Sequence, residues 1–134
     1  MHIHTYSDLI SISKVQPEPQ RLLFVLAKAE LPEEATDEQK ARFRNKEGGY
    51  LAPVLCVDKL PSEVESFESF VKESEQTGVD WDVVFIAAMS GYAGEAPQPE
   101  QAEQPLQMMV EQIKAGIVAN YVTLDREGHA IQLA

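Results

Sequence analysis

Leu22-Leu23-Phe24-Val25-Leu26-Ala27 is a continuous apolar run bounded by Pro19 and Pro32. An unbroken run of this length is short for a core helix and fits a strand covered on both faces. It is read as the central strand of a sheet. Upstream, Pro17-Glu18-Pro19 closes a segment from Thr5 to Val15 in which Tyr6, Leu9, Ile10 and Ile12 have the spacing of a short amphipathic helix. Thr5 is its predicted N-cap, with Asp8 at N3.

Downstream, Thr36-Asp37-Glu38-Gln39 is a capping box, and the helix it opens is predicted to run to about Lys46, with Gly48-Gly49 as its stop. Tyr50 to Val57 is a second strand, closed by Asp58-Lys59; Pro53 is placed at its start because proline donates no ladder hydrogen bond. Ser62-Glu63-Val64-Glu65 is a second capping box, followed by Val64, Phe67, Phe70 and Val71 at helical spacing and by Thr77-Gly78 as a stop. Trp81 to Met89 is a third apolar strand, leading into the loop Ser90-Gly91-Tyr92-Ala93-Gly94. Pro105 is placed early in a fourth helix carrying Leu106, Met109, Val110 and Ile113, with Gly116 just past its end. The tail alternates Val118, Asn120, Val122 and Leu124, turns at Asp125-Arg126-Glu127-Gly128, and returns through Ala130, Ile131 and Leu133, which reads as a β-hairpin.

Strands that alternate with helices of this length predict crossover connections. The expected fold is α/β: a single domain over residues 1–134, with a mixed, mainly parallel sheet of about five strands, about four helices and a C-terminal β-hairpin. A chain of 134 residues can bury roughly two thirds of its unfolded surface, so it needs no staple. With 44% hydrophobic and 25% charged residues it is neither disordered nor collagen-like.

Eleven basic residues against twenty-two acidic ones give a net charge of −11, which repels phosphate backbones and anionic lipid headgroups. Neither nucleic acid nor membrane is an expected partner. The N-terminal residues lack a basic flank followed by an apolar run, and a lone cysteine, Cys56, fits a reducing compartment. A cytoplasmic location is expected. Cys56 itself, centred in Val54-Leu55-Cys56-Val57, is read as a small core residue rather than a nucleophile.

If the three apolar strands were parallel, their C-terminal ends would bring Lys28 and Glu30, Asp58 and Lys59, and Ser90 and Gly91 to one edge of the sheet, where open α/β sheets bind ligands. Asp58 and Lys59 would point to opposite faces, and each is a candidate acid, base or ion-pair partner for a ligand. Gly91 and Gly94, after a buried strand, are candidates to let backbone amides approach an anion. The ligand-binding candidates are thus Glu30, Asp58, Lys59, Ser90, Gly91 and Gly94; the alternative is a solvated strand end with an ordinary loop. Lys40, Arg42, Arg44 and Lys46 form the one basic cluster, late in the second helix. They read either as a solvated face that complements the helix dipole, with a Glu38 to Arg42 pair, or as a docking patch for an acidic partner.

The string His2-Ile3-His4-Thr5-Tyr6-Ser7-Asp8 looks like the first metal-ligand motif of polymerase-and-histidinol-phosphatase-type hydrolases. His129 is the only other histidine, and this inventory does not supply a multi-metal barrel. No metal and no cofactor are expected.

The blocks from Gln16 to Val25, Leu55 to Lys59, Trp81 to Gly91 and Pro105 to Gly116 together resemble a family of small uncharacterised bacterial proteins often labelled ribonucleotide reductase subunit alpha. The resemblance spans nearly the full length. It implies, at most, an accessory role in ribonucleotide reduction, because the catalytic subunit of that enzyme is a far larger barrel with several cysteines and this chain has Cys56 alone. It carries no site residue across. The leading expectation is a small binding or regulatory module acting through a protein partner or a small ligand; the alternative is a small enzyme with an anionic-substrate site at Asp58, Lys59 and Ser90. The sequence leaves the oligomeric state open.

Overall fold

The structure is a computed structural model that describes residues 3–31, 34–44 and 50–132. In chain order it contains α1 (Tyr6–Lys14), β1 (Gln20–Glu30), α2 (Asp37–Arg44), β2 (Tyr50–Lys59), a 3₁₀ turn (Pro61–Glu63), α3 (Phe67–Gln76), β3 (Val83–Ser90), α4 (Pro99–Lys114) and β4 (Val122–Asp125). The four strands form one sheet in the order β2-β1-β3-β4, and every neighbouring pair is antiparallel.

The mainly parallel five-stranded sheet is therefore corrected to a four-stranded antiparallel one. The reason lies in the connections. Helix α2 buries no residue, so β1 and β2 form a hairpin whose loop carries a solvent-facing helix rather than a crossover packed on the sheet. Helix α4 joins β3 to its antiparallel neighbour β4. Only α3 makes a true crossover: β2 and β3 both run antiparallel to β1 and so point the same way, separated by it. The fifth strand is also absent as a strand among the described residues. The tail turns through Gly128, at φ +82°, and returns as isolated bridges of Ala130 to Leu124 and His129 to Thr5. Leu133 lies outside the described residues.

The apolar run Leu22-Leu23-Phe24-Val25-Leu26-Ala27 is the centre of the molecule. Leu22, Phe24 and Leu26 point to one face with Val84, Ile86 and Leu124, where Tyr6, Leu9 and Ile10 of α1 and Phe70 of α3 cover them. Leu23, Val25 and Ala27 point to the other face with Val83 and Phe85, under Ala102, Met109 and Ile113 of α4. A strand with two apolar faces thus sits between two helical layers. Buried polar groups are matched within these layers: Tyr6 Oη donates to the Val64 carbonyl, and Trp81 Nε1 donates to Ser74 Oγ at 2.9 Å.

Local chemistry sets the element ends. Thr5 caps α1, with Asp8 N–H donating to Thr5 Oγ1 at 3.3 Å. In return, Asp8 Oδ2 accepts the backbone N–H groups of His4 at 3.0 Å and Thr5 at 3.2 Å. Thr36 and Gln39 exchange the two capping-box bonds at the start of α2. The predicted second box shifts: Glu63 caps the 3₁₀ turn by accepting from Leu60 N–H, while α3 starts later, with Ser69 N–H donating to Ser66 Oγ. Pro99, not Pro105, opens α4, and Pro105 sits inside the helix. Its missing N–H leaves the carbonyl of exposed Gln101 to water. Gly116, at φ +78°, ends α4 in a Schellman arrangement, with Ile117 N–H on the Gln112 carbonyl and Gly116 N–H on the Ile113 carbonyl.

The amide bonds from His4 and then Thr5 hold the Asp8 carboxyl below the usual carboxylate range. A depressed native value means that the contribution of Asp8 is complete above the ordinary aspartate pKa and is lost as pH falls through the native one. Asp8→Asn is accordingly expected to lower the urea midpoint at neutral pH, with the difference from the native chain shrinking steadily below about pH 4.

Candidate functional site

Antiparallel pairing sorts the candidate residues to opposite ends of the sheet. Ser90 faces Gln20 and Asp58 faces Leu23, so the end of β2, the end of β3 and the start of β1 meet. Asp58, Lys59, Ser90, Gly91 and Gly94 are gathered there. Glu30 is not: it ends β1 ten residues on, about 33 Å away at the usual strand rise. At that far end Glu30 Oε2 accepts from Tyr50 Oη at 3.2 Å, Lys28 lies 3.7 Å from Asp80, and Ala29 N–H donates to Asp82 Oδ2 at 2.7 Å. Glu30 therefore belongs to no common site with Asp58 or Ser90.

At the gathered end, Asp58, Lys59 and Ser90 each already hold a partner from the chain itself. Arg21 is 8% exposed; its Nη1 donates to Asp58 Oδ2 at 2.8 Å and its Nε to the Pro97 carbonyl at 2.6 Å. Gln20 Nε2 bridges Ser90 Oγ and the Glu18 carbonyl, both at 2.9 Å. Lys59, on the opposite face from Asp58, donates to Glu73 Oε1 of α3 at 2.7 Å. None of the three side chains that could serve as acid, base or nucleophile is held toward an open space without a partner.

The glycine loop is equally committed. Tyr92 and Glu95 exchange backbone bonds at 2.9 and 3.1 Å around Ala93 and Gly94, whose φ angles of 55° and 83° make a tight turn of type I′. Gly91 N–H donates to the Pro19 carbonyl at 2.8 Å, and Gly94 N–H donates to Glu18 Oε2 at 2.8 Å. The loop does bind a carboxylate at a backbone amide, and that carboxylate is its own. Beside it, an open cleft of about 440 Å³ runs between the end of α1 and the 3₁₀ turn, lined by Lys14, Gln16, Glu18, Leu60 and Pro61 among others. Lys14 is paired with Glu65 across its rim.

Arg21 is the residue that sequence reasoning missed. One signal was present: a cation directly before an apolar run and in phase with Leu23 and Val25 must be buried on that face if the strand extends by one residue. Cys56 is corrected in the other direction. Because β2 is an edge strand, Cys56 is exposed rather than part of the core. Partial burial still raises its thiol above the ordinary range. Alkylation by iodoacetamide at pH 7.5 is expected to run slower than that of glutathione, with a pH–rate midpoint above that of the free thiol.

The basic cluster stands apart from this end. Lys40, Arg42 and Arg44 are exposed on α2, and none of them forms an ion pair among the described residues; the Glu38 to Arg42 pair is not made. Lys46 and the Gly48-Gly49 stop lie outside the described residues, as does His2. Elsewhere, Lys14, Arg21, Lys28, Lys59, Lys72 and Arg126 each find an acid. Among the described residues no group of three His, Cys, Asp or Glu side chains is placed to hold a metal, and no helix is long and apolar enough to cross a membrane. No protein-family model, curated protein or solved structure matches the chain.

Proposed function

We propose that this chain is a small cytoplasmic binding or regulatory module that acts through a protein partner with an acidic surface, docked on α2. The observation that carries the reading is the state of the α2 cations. In a chain with twice as many acids as bases, six cations are paired among the described residues, while Lys40, Arg42 and Arg44, clustered on α2, and the isolated Lys114 at the end of α4 are not. The α2 cations also sit on a helix in which no residue is fully buried. Such a short helix gains little stability by itself, and most helices gain theirs by packing an apolar face. A partner that brings carboxylates to α2 supplies the missing contacts. Because the chain as a whole is acidic, complementary charge acts only at short range, where it orients such a partner onto α2 rather than elsewhere on the surface.

The enzyme reading is weaker, because Asp58, Lys59 and Ser90 hold Arg21, Glu73 and Gln20 and are not free for a substrate.

The test is parallel affinity capture from native lysate with the intact chain and with Lys40→Glu/Arg42→Glu/Arg44→Glu. Exposed substitutions of this kind are expected to leave folding stability within about 1 kcal/mol. A protein retained in stoichiometric amount, lost with the variant and lost as salt shortens the screening length from about 8 Å to about 3 Å, supports the reading. Retention indifferent to both changes, or no retained protein, overturns it. A ribonucleotide reductase as the retained protein would give the family resemblance its meaning.

A further inference from the structure

The two edges of the sheet are finished differently. Along β4, Ala130 bridges to Leu124 and Ile131 N–H donates to the Thr123 carbonyl at 2.9 Å, so the returning chain covers that edge. β2 pairs with β1 on one side, and no other described strand lies on its other side. Its outer N–H and C=O groups form a template for another strand. The first half of β2 is blunted: Pro53 has no N–H, and the register skips from Leu55 to Pro53, which leaves Val54 as a bulge. From Leu55 to Lys59 the register against β1 is regular.

Charge decides what can add there. Tyr50 to Val57 carries no charged residue in a chain of net charge −11. The acids next to the regular half are neutralised internally, Asp58 by Arg21 at 2.8 Å and Glu73 by Lys59 at 2.7 Å. Two copies can meet along this edge without opposing bare carboxylates, whereas the overall charge resists contact over the rest of the surface. Beside the edge, Leu26, Leu55, Val57 and Phe70 line a shallow apolar groove between β2 and α3 that the side chains of an added strand would cover.

We infer that the outer edge of β2 over residues 55–59 pairs antiparallel with the same edge of a second copy, joining two four-stranded sheets into one continuous sheet. The surface is self-complementary, as a two-fold contact requires, and a contact of this edge with itself uses the edge up in both copies, which closes the assembly at two. So short an addition is smaller than a standard interface of about 1,600 Å², so the dimer is a weak one, with a dissociation constant on the order of 100 µM. The inference is independent of docking on α2.

Sedimentation velocity of the full chain under reducing conditions, over roughly 5 to 500 µM, is the test. The expected result is a mass that rises from 14.9 kDa toward twice that value as concentration increases. Cys56 is exposed and lies near the middle of the pairing segment. Cys56→Glu restores carboxylate opposition across the edge and is expected to weaken the dimer at least about tenfold. Cys56→Ser is expected to leave it unchanged. A mass of 14.9 kDa at every concentration overturns the inference, and that is also the outcome if the edge is reserved for the strand of a different protein. A dimer that Cys56→Glu leaves intact overturns it as well.

Discussion

Gly91→Ala is expected to lower the unfolding free energy by about 3 kcal/mol. A Cβ at this position lies 1.9 Å from the Glu95 carbonyl oxygen and 2.9 Å from that of Pro19. Both are backbone atoms already holding hydrogen bonds, from Tyr92 N–H at 2.9 Å and from Gly91 N–H at 2.8 Å. Neither can withdraw without opening the turn or lifting the loop off β1. The cost is a hydrogen bond of about 1 kcal/mol plus overpacking strain of about 1–3 kcal/mol. Gly94 offers the contrast: nothing stands within 4 Å of its added Cβ, so alanine there meets only the strain of φ +83°, about 1–2 kcal/mol. Urea unfolding followed by circular dichroism reads both, and a loss below 1 kcal/mol at Gly91 contradicts the close approach.

Asp58→Ala is expected to cost about 2–4 kcal/mol, because it strands the charge of a nearly buried arginine. Arg21 keeps its bond to the Pro97 carbonyl but loses its counter-ion. The double variant Arg21→Met/Asp58→Leu removes both charges and keeps apolar volume on the α4 face. It is expected to return to within about 1 kcal/mol of the native chain. Equilibrium unfolding of the single and double variants gives the coupling directly. Additive losses would mean that Arg21 and Asp58 are not energetically coupled.

How far the fold was legible follows from what each signal depends on. β1, β3 and the cap of α1 rest on local patterns, an apolar run or a Thr-to-Asp spacing, and local patterns survive whatever the topology. Strand direction does not. A strand buried on both faces has the same sequence in either kind of sheet, and α2 gave the sequence spacing of a crossover although none of its residues is fully buried. Pro53 shows the same dependence. It sits inside β2 because that strand is at an edge and bulged, facts that exist only once the sheet is assembled. Cys56 is exposed for the same reason.

The candidate site was legible in part. The alternation that sends Asp58 and Lys59 to opposite faces was readable, and Arg21 and Glu73 now mark those faces. That Glu30 lies at the far end, and that Glu18 fills the glycine loop, depend on antiparallel pairing and on a contact 76 residues apart in sequence.

Amide hydrogen exchange, read in the free chain and with the captured partner bound, tests the role of α2 most directly. In the free chain the amides of residues 37–44 should be the least protected of the four helices, since α2 buries nothing. With the partner bound they are expected to slow by at least about tenfold, while the segments around Arg21, Asp58 and Ser90 keep their rates. Slowing confined to those segments, with α2 unchanged, would move the function to the end of the sheet and contradict docking on α2.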